Sequence, residues 1–179
     1  IISRSGVVDK YIGDAIMALF NAPVPVDNHE ILAVTAALEM QERLHELNED
    51  WKLRGFPQLQ CRIGINSANC LVGNIGSQHR VNYTALGDGV NVAARCESLN
   101  KDFQTGIIIS QSTYKVVREK FLCRWLTAVR LKGKTRPIDV YEVVCEHSTA
   151  TKQQIITCGL HLELENALEC ADYERSRLL

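Results

Sequence analysis

The chain has 179 residues, 46% of them hydrophobic and 23% charged, which is enough to bury a full core in one globular domain with a short extension and excludes a disordered chain. Lys and Arg number 20 against 21 Asp and Glu, so no broad basic face for nucleic acid is expected, and positive charges act individually. The longest apolar run, Ala15 to Phe20, is too short to span a bilayer, so no membrane contact from this segment is expected. The seven cysteines form no CxxC pair, which points to reduced thiols in the cytoplasm rather than a disulfide framework or a zinc site.

In chain order, Val7 to Ile12 and Ala15 to Phe20 are β-prone runs separated by Gly13 and Asp14, the pattern of a tight hairpin. After Pro23 and Pro25, Asp27 with Glu30 resembles a capping box. It leads into Ala33, Ala37, Met40, Leu44, Leu47 and Trp51 at helical steps, a long amphipathic helix ending before Gly55. Gln60 to Ile65, Leu71 to Ile75 and Val81 to Leu86 read as strands, and Asp88 as the cap of a helix running to about Asn100. The three isoleucines between Gly106 and Ser110 predict a buried strand, Ser112 to Phe121 a helix, and Leu122 to Val144 a strand pair turning near Lys134 to Pro137. Interleaved strands and helices, with hairpins as well as crossovers, favour an α+β fold with a mixed sheet covered by helices. Residues 147–179 read as a polar link and a helical extension, with Leu160, Leu164, Ala167, Leu168 and Ala171 at helical spacing.

The chemistry concentrates in DGVNVAARCE (residues 88–97), where Asn91 and Arg95 lie four apart and share one helical face. An isolated pair of this kind is most simply a solvated helix face. The wider string is more specific. YTALGDGVNVAAR (83–95), preceded by RIGIN (62–66) and VGNIGS (72–77), resembles the signature of class III adenylate and guanylate cyclase catalytic domains. VDKYIGDAIMALF (8–20) is similar to that family's second metal-ligand hairpin, and LKGK (131–134) to its last phosphate-binding hairpin. The resemblance covers roughly residues 6–145 and implies a ferredoxin-like mixed sheet. It divides the chain into a partial catalytic domain, 1–146, and an extension, 147–179.

The resemblance also implies a reaction in which the ribose 3′-hydroxyl of ATP attacks the α-phosphorus and pyrophosphate leaves. Two divalent metal ions, Mg²⁺ or Mn²⁺, serve such displacements and are held by hard carboxylate oxygens. Asp14 matches one of the family's metal aspartates, against the plainer reading of an ordinary turn residue. The other aspartate belongs to a motif ahead of this hairpin, and nothing in residues 1–9 matches it, so it is expected upstream of the chain. Asn91 falls on the ribose-orienting position, Arg95 on the position that stabilises charge on the α-phosphate, and Lys132 on the one that holds the terminal phosphates. Lys134 reads as a solvated lysine, and Arg80 lies near the place where some members have a further phosphate-contacting arginine, without a matching local spacing that would put it in the core set.

Base choice rests on Lys10 and Thr84. Lys10 is donor-only and suits adenine N1, while Thr84 can accept from the 6-amino group. Guanylate cyclases of the family typically carry an acidic residue and often a Cys at these positions, so the resemblance implies an adenylate cyclase of the bacterial and soluble type. The rivals are a guanylate or dual-specificity cyclase and a non-catalytic regulatory module. The family's sites lie between two catalytic domains, which implies a homodimer or a heterodimer with another cyclase domain. Two departures lie in SAN (67–69), which stands where the family usually has Thr or Ser followed by Gly and then Glu or Pro, and Ala68 is expected to strain the turn by about 1 kcal/mol if the Gly is there for positive φ. Cys96, next to Arg95, reads as a small packing residue rather than a redox switch.

Overall fold

A computed structural model describes residues 1–77, 80–130 and 137–169, without the side chains of residues 80 and 165–169. The strands are β1 (Val7–Ile12), β2 (Ala15–Leu19), β3 (Ile63–Ile65), β4 (Leu71–Ser77), β5 (Arg80–Leu86), β6 (Ile107–Ser110), β7 (Phe121–Val129) and β8 (Ile138–Glu146). The helices are α1 (His29–Leu53), α2 (Asp88–Phe103), α3 (Gln111–Val117) and α4 (Lys152–Glu169).

The central sheet has the order β3-β6-β8-β7, with β3 and β6 parallel and the remaining pairs antiparallel. It is the mixed, helix-covered α+β sheet expected from the sequence. The isoleucine run explains how two layers share one strand. Ile107 and Ile109 pack with Val34 and Ala37 of α1 and Val117 of α3, whereas Ile108 packs on the other face with Val92, Cys96 and Leu99 of α2. A period of two in a strand sends alternate side chains to opposite faces, and with helices on both faces every position is apolar. The hairpins β1-β2 and β4-β5 form two separate two-stranded sheets.

Several boundaries move. Asn28, with left-handed backbone at φ 55°, stands at the head of α1 and makes no side-chain cap bond, so the capping box expected at Asp27 does not form. Asn21 instead accepts from the backbone N–H of Val26 at 2.7 Å, which satisfies the loop before the helix. Asp88 is the first residue of α2 rather than its cap, because Gly87 takes the capping position at φ 148°, where a side chain is strained. The first residues of the expected 60–65 strand pair with nothing in the sheet: the register begins at Ile63 opposite Ile107, and the Cys61 carbonyl accepts from Gln41. Phe121, expected at the end of a helix, opens β7 because its ring is buried in the core cluster of α1 and α3. The helical extension is present as α4, and among the described residues no helix is long and apolar enough to cross a membrane.

Candidate functional site

The site is built on three supports: the β1-β2 hairpin, β5, and the first turns of α2. Gly13 takes φ +63° at the hairpin tip, a left-handed turn position that glycine adopts without cost. Asp14 follows it with its side chain in solvent. Further back along β1, Lys10 donates from Nζ to Thr84 Oγ1 of β5 at 2.9 Å, so the two residues assigned to base recognition are in direct contact. Thr84 is only 5% exposed. Beside them lies a cleft of about 470 Å³, lined by Val7 to Tyr11 of β1 with Leu19 and residues 81–83, large enough for a small molecule.

Sequence reasoning passed over Asp9. Its Oδ2 accepts from the Thr84 hydroxyl at 2.5 Å, its Oδ1 lies 3.6 Å from the Lys10 ammonium, and its side chain is 1% exposed. The acidic residue beside Lys10 was visible in the motif, but alternation along a strand puts neighbours on opposite faces. The register of β1 against β2 shifts between Val8 and Lys10, and a bulge of this kind re-aims a side chain.

Asn91 and Arg95 lie on one exposed face of α2. Neither they nor Asp14 make a hydrogen bond or ion pair with another side chain among the described residues. What positions them is beneath the helix. A Cβ on Gly64 of β3 would come within 2.2 Å of the Ala93 carbonyl oxygen and of the Glu97 nitrogen, so α2 rests directly on the β3 backbone. Asn66, just past β3, donates from Nδ2 to the Gly89 carbonyl at 2.9 Å and accepts from Ser110 Oγ at 2.6 Å and Ser112 Oγ at 3.1 Å. That amide ties the first turn of α2 to the end of β6. At the other end, buried Asn100 donates to the Ile63, Cys96 and Glu97 carbonyls and accepts from Thr105.

The strain expected at Ala68 is absent: the residue is not among those with positive φ. Its methyl lies 2.7 Å from where a Cβ on Gly89 would stand, so Ala68 closes over a glycine rather than occupying a glycine's conformation. Lys132 and Lys134 lie outside the described residues. Arg80 opens β5 opposite Ser77.

Cys96 is 1% exposed, and burial pushes its thiol from the ordinary value near 9 up to about 12. It is a packing residue. Alkylation under native conditions at pH 8, read by mass spectrometry, should therefore label half-buried Cys70 and leave Cys96 unmodified until the domain unfolds. The sign for stability follows from linkage. The unfolded thiol ionises from about pH 9 while the folded one holds its proton to about 12. Chemical-denaturation stability should then fall across that interval and be insensitive to Cys96 below it.

Divalent-metal use is general to the family that this chain resembles. Asp14 offers one exposed carboxylate of the hard-oxygen type such ions take. Among the described residues no group of three or more His, Cys, Asp or Glu side chains could hold a metal ion.

Comparison with known proteins agrees with this geometry. A family model for the adenylate and guanylate cyclase catalytic domain matches residues 7–161. Adenylate cyclase 1 of Rhizobium meliloti is 35% identical over 142 residues, covering 79% of this chain and 21% of that protein, so the chain spans about a fifth of its relative's length. The crystal structure of the adenylyl cyclase CyaB from P. aeruginosa superposes with a TM-score of 0.73 at 30% identity, covering 84% of this chain and 77% of that one. A guanylyl cyclase structure superposes with a TM-score of 0.70 at 32% identity, covering 84% and 75%. With its mixed sheet, its bulged hairpin against β5 and its Asn91/Arg95 helix, the chain belongs to the class III nucleotide cyclases, as a catalytic domain of the adenylate and guanylate cyclase family.

Proposed function

We propose that this domain is an adenylate cyclase, converting ATP to 3′,5′-cyclic AMP and pyrophosphate in cyclic-nucleotide signalling on the cytoplasmic side. Overall similarity does not choose the base, since adenylyl and guanylyl cyclase structures match almost equally well. The observation that carries the reading is the Lys10–Thr84 contact at 2.9 Å, a donor beside an acceptor, which is the pattern adenine N1 and its 6-amino group require.

Around that base site, Asn91 orients the ribose. The Arg95 guanidinium meets the charge that builds on the α-phosphate, where a planar, bidentate cation is well matched. Lys132 is assigned to the terminal phosphates. Two divalent ions, Mg²⁺ or Mn²⁺, bound in part by Asp14, would supply a lowered pKa at the 3′-hydroxyl and charge compensation at the leaving pyrophosphate. The hairpins leave Tyr11 71%, Ile12 59%, Leu71 71% and Val81 57% exposed, apolar area that a second cyclase domain would cover. We place Asp14 in one half of a shared site and Lys10, Thr84, Asn91, Arg95 and Lys132 in the other, in a homodimer or a heterodimer.

The test is cyclic-nucleotide formation from ATP and from GTP by the full-length protein, with Mg²⁺ and with Mn²⁺. ATP should be preferred, and Lys10→Glu with Thr84→Cys should erode the preference by about tenfold or more, since an unmatched buried polar group costs about 1–3 kcal/mol. A preference for GTP would make it a guanylate cyclase. Nucleotide binding without turnover would make it a regulatory module.

A further inference from the structure

We propose that Asp9 is a specificity-determining positioning residue that fixes the Thr84 hydroxyl as an acceptor facing a 6-aminopurine; this rests on the adenylate cyclase reading above.

A threonine hydroxyl carries one hydrogen and two lone pairs, so by itself it can accept from an amino group or donate to an oxo group. Thr84 alone is therefore ambivalent between adenine and guanine. Lys10 reads N1, where it suits the acceptor of adenine and not the N–H of guanine, and does not by itself set which way the Thr84 hydroxyl faces position 6. In the structure the hydroxyl is committed. Its hydrogen points to Asp9 Oδ2 at 2.5 Å, and one lone pair accepts from Lys10 Nζ at 2.9 Å. One lone pair is left. That lone pair accepts from a 6-amino group and repels a 6-oxo group.

Three observations identify Asp9 as built for this. Consecutive strand residues normally face opposite ways, yet Asp9 and Lys10 both reach the same Thr84 oxygen, across the register shift between Val8 and Lys10. The Asp9 side chain is 1% exposed although it carries a carboxyl group, and burying such a group is costly without compensation. Its Oδ1 makes no hydrogen bond and has the Lys10 ammonium 3.6 Å away, so the bond from the Thr84 hydroxyl to Oδ2 is the hydrogen bond that holds this buried side chain in place.

The decisive comparison uses substrates that differ at position 6: ATP, inosine triphosphate with a 6-oxo group, and purine riboside triphosphate with hydrogen there. In the full-length protein, Asp9→Asn presents an amide that can donate to Thr84, which frees the hydroxyl to donate outward. The ATP-to-inosine ratio in kcat/KM should fall about tenfold or more, while purine riboside triphosphate changes little. Because Asp9 acts through the hydroxyl, Thr84→Val should collapse the same ratio, and adding Asp9→Asn to it should have no further effect. Thr84→Val also keeps the question open to measurement if Asp9→Asn does not fold. An equal loss on all three substrates, or a ratio that Thr84→Val leaves intact, overturns the proposal. Wild-type preference for GTP over ATP overturns the adenylate reading and this inference with it. An ATP-preferring wild type whose ratio ignores Asp9→Asn overturns this inference alone.

Discussion

Replacing Gly64 by alanine should lower the melting temperature of the domain by about 6–12 °C, the shift that corresponds to about 3 kcal/mol in a chain of this size. The added methyl would stand 2.2 Å from two backbone atoms of α2, the Ala93 carbonyl oxygen and the Glu97 nitrogen. No rotamer change relieves a clash between backbones. The helix must lift by about 1 Å to reach ordinary contact, and overpacking of this kind costs several kcal/mol out of a total stability that is itself small. Lifting α2 also uncovers Val92, Cys96 and Leu99 from Ile108 and moves Asn91 and Arg95, which the helix carries. Gly159→Ala is the internal control. Nothing lies within 4 Å of its added methyl in α4, and alanine in a helix interior should stabilise by up to about 1 kcal/mol. Urea denaturation of both variants checks the pair. A Gly64→Ala protein as stable as wild type would mean that α2 does not sit on β3 as described.

Patterns that depend on periodicity were legible in the sequence. The isoleucine run sits in a strand buried on both faces, the Gly13 and Asp14 turn closes a hairpin, and Asn91 and Arg95 share a helix face because four residues make about one turn. Features decided by a distant partner were not. Asp27 and Asp88 both suit a helix cap by type, but the capping position was taken by Asn28 in one case and Gly87 in the other. Their neighbours' backbone, not their side chains, sets where each helix begins. Ala68 escaped the strain expected of it because a family preference for glycine does not say whether the backbone or the space requires it. Here the tight space belongs to Gly89. Asp9 was hidden for a related reason. A bulge is a property of a strand pair, and only the register of β1 on β2 reveals that Asp9 and Lys10 face the same hydroxyl. The motif singled out Lys10 and Thr84, whereas the buried carboxylate that accepts from the Thr84 hydroxyl was not singled out by it.

Arg95→Ala should reduce kcat by about 10²–10³ while moving KM little, the loss typical of removing one preorganised group that meets charge developing in the transition state. The guanidinium is exposed and makes no hydrogen bond or ion pair among the described residues, so the melting temperature should stay within about 1–2 °C of wild type. Arg95→Lys should recover only part of the rate, since an ammonium cannot bind two phosphate oxygens as a planar fork does. The same variant tests where the site is built. If Asp14 and Arg95 serve one site from different protomers, an Asp14→Ala chain paired with an Arg95→Ala chain has one site with both defects and one with neither. Random pairing of equal amounts then restores about a quarter of wild-type activity from two inactive proteins. If both residues serve the site from the same chain, every site in the mixture keeps a defect and activity stays at the level of the single variants. Recovery would therefore establish the two-fold arrangement from kinetics alone. Its absence, with dimers verified by sedimentation, would place Asp14 and Arg95 in a site within one chain.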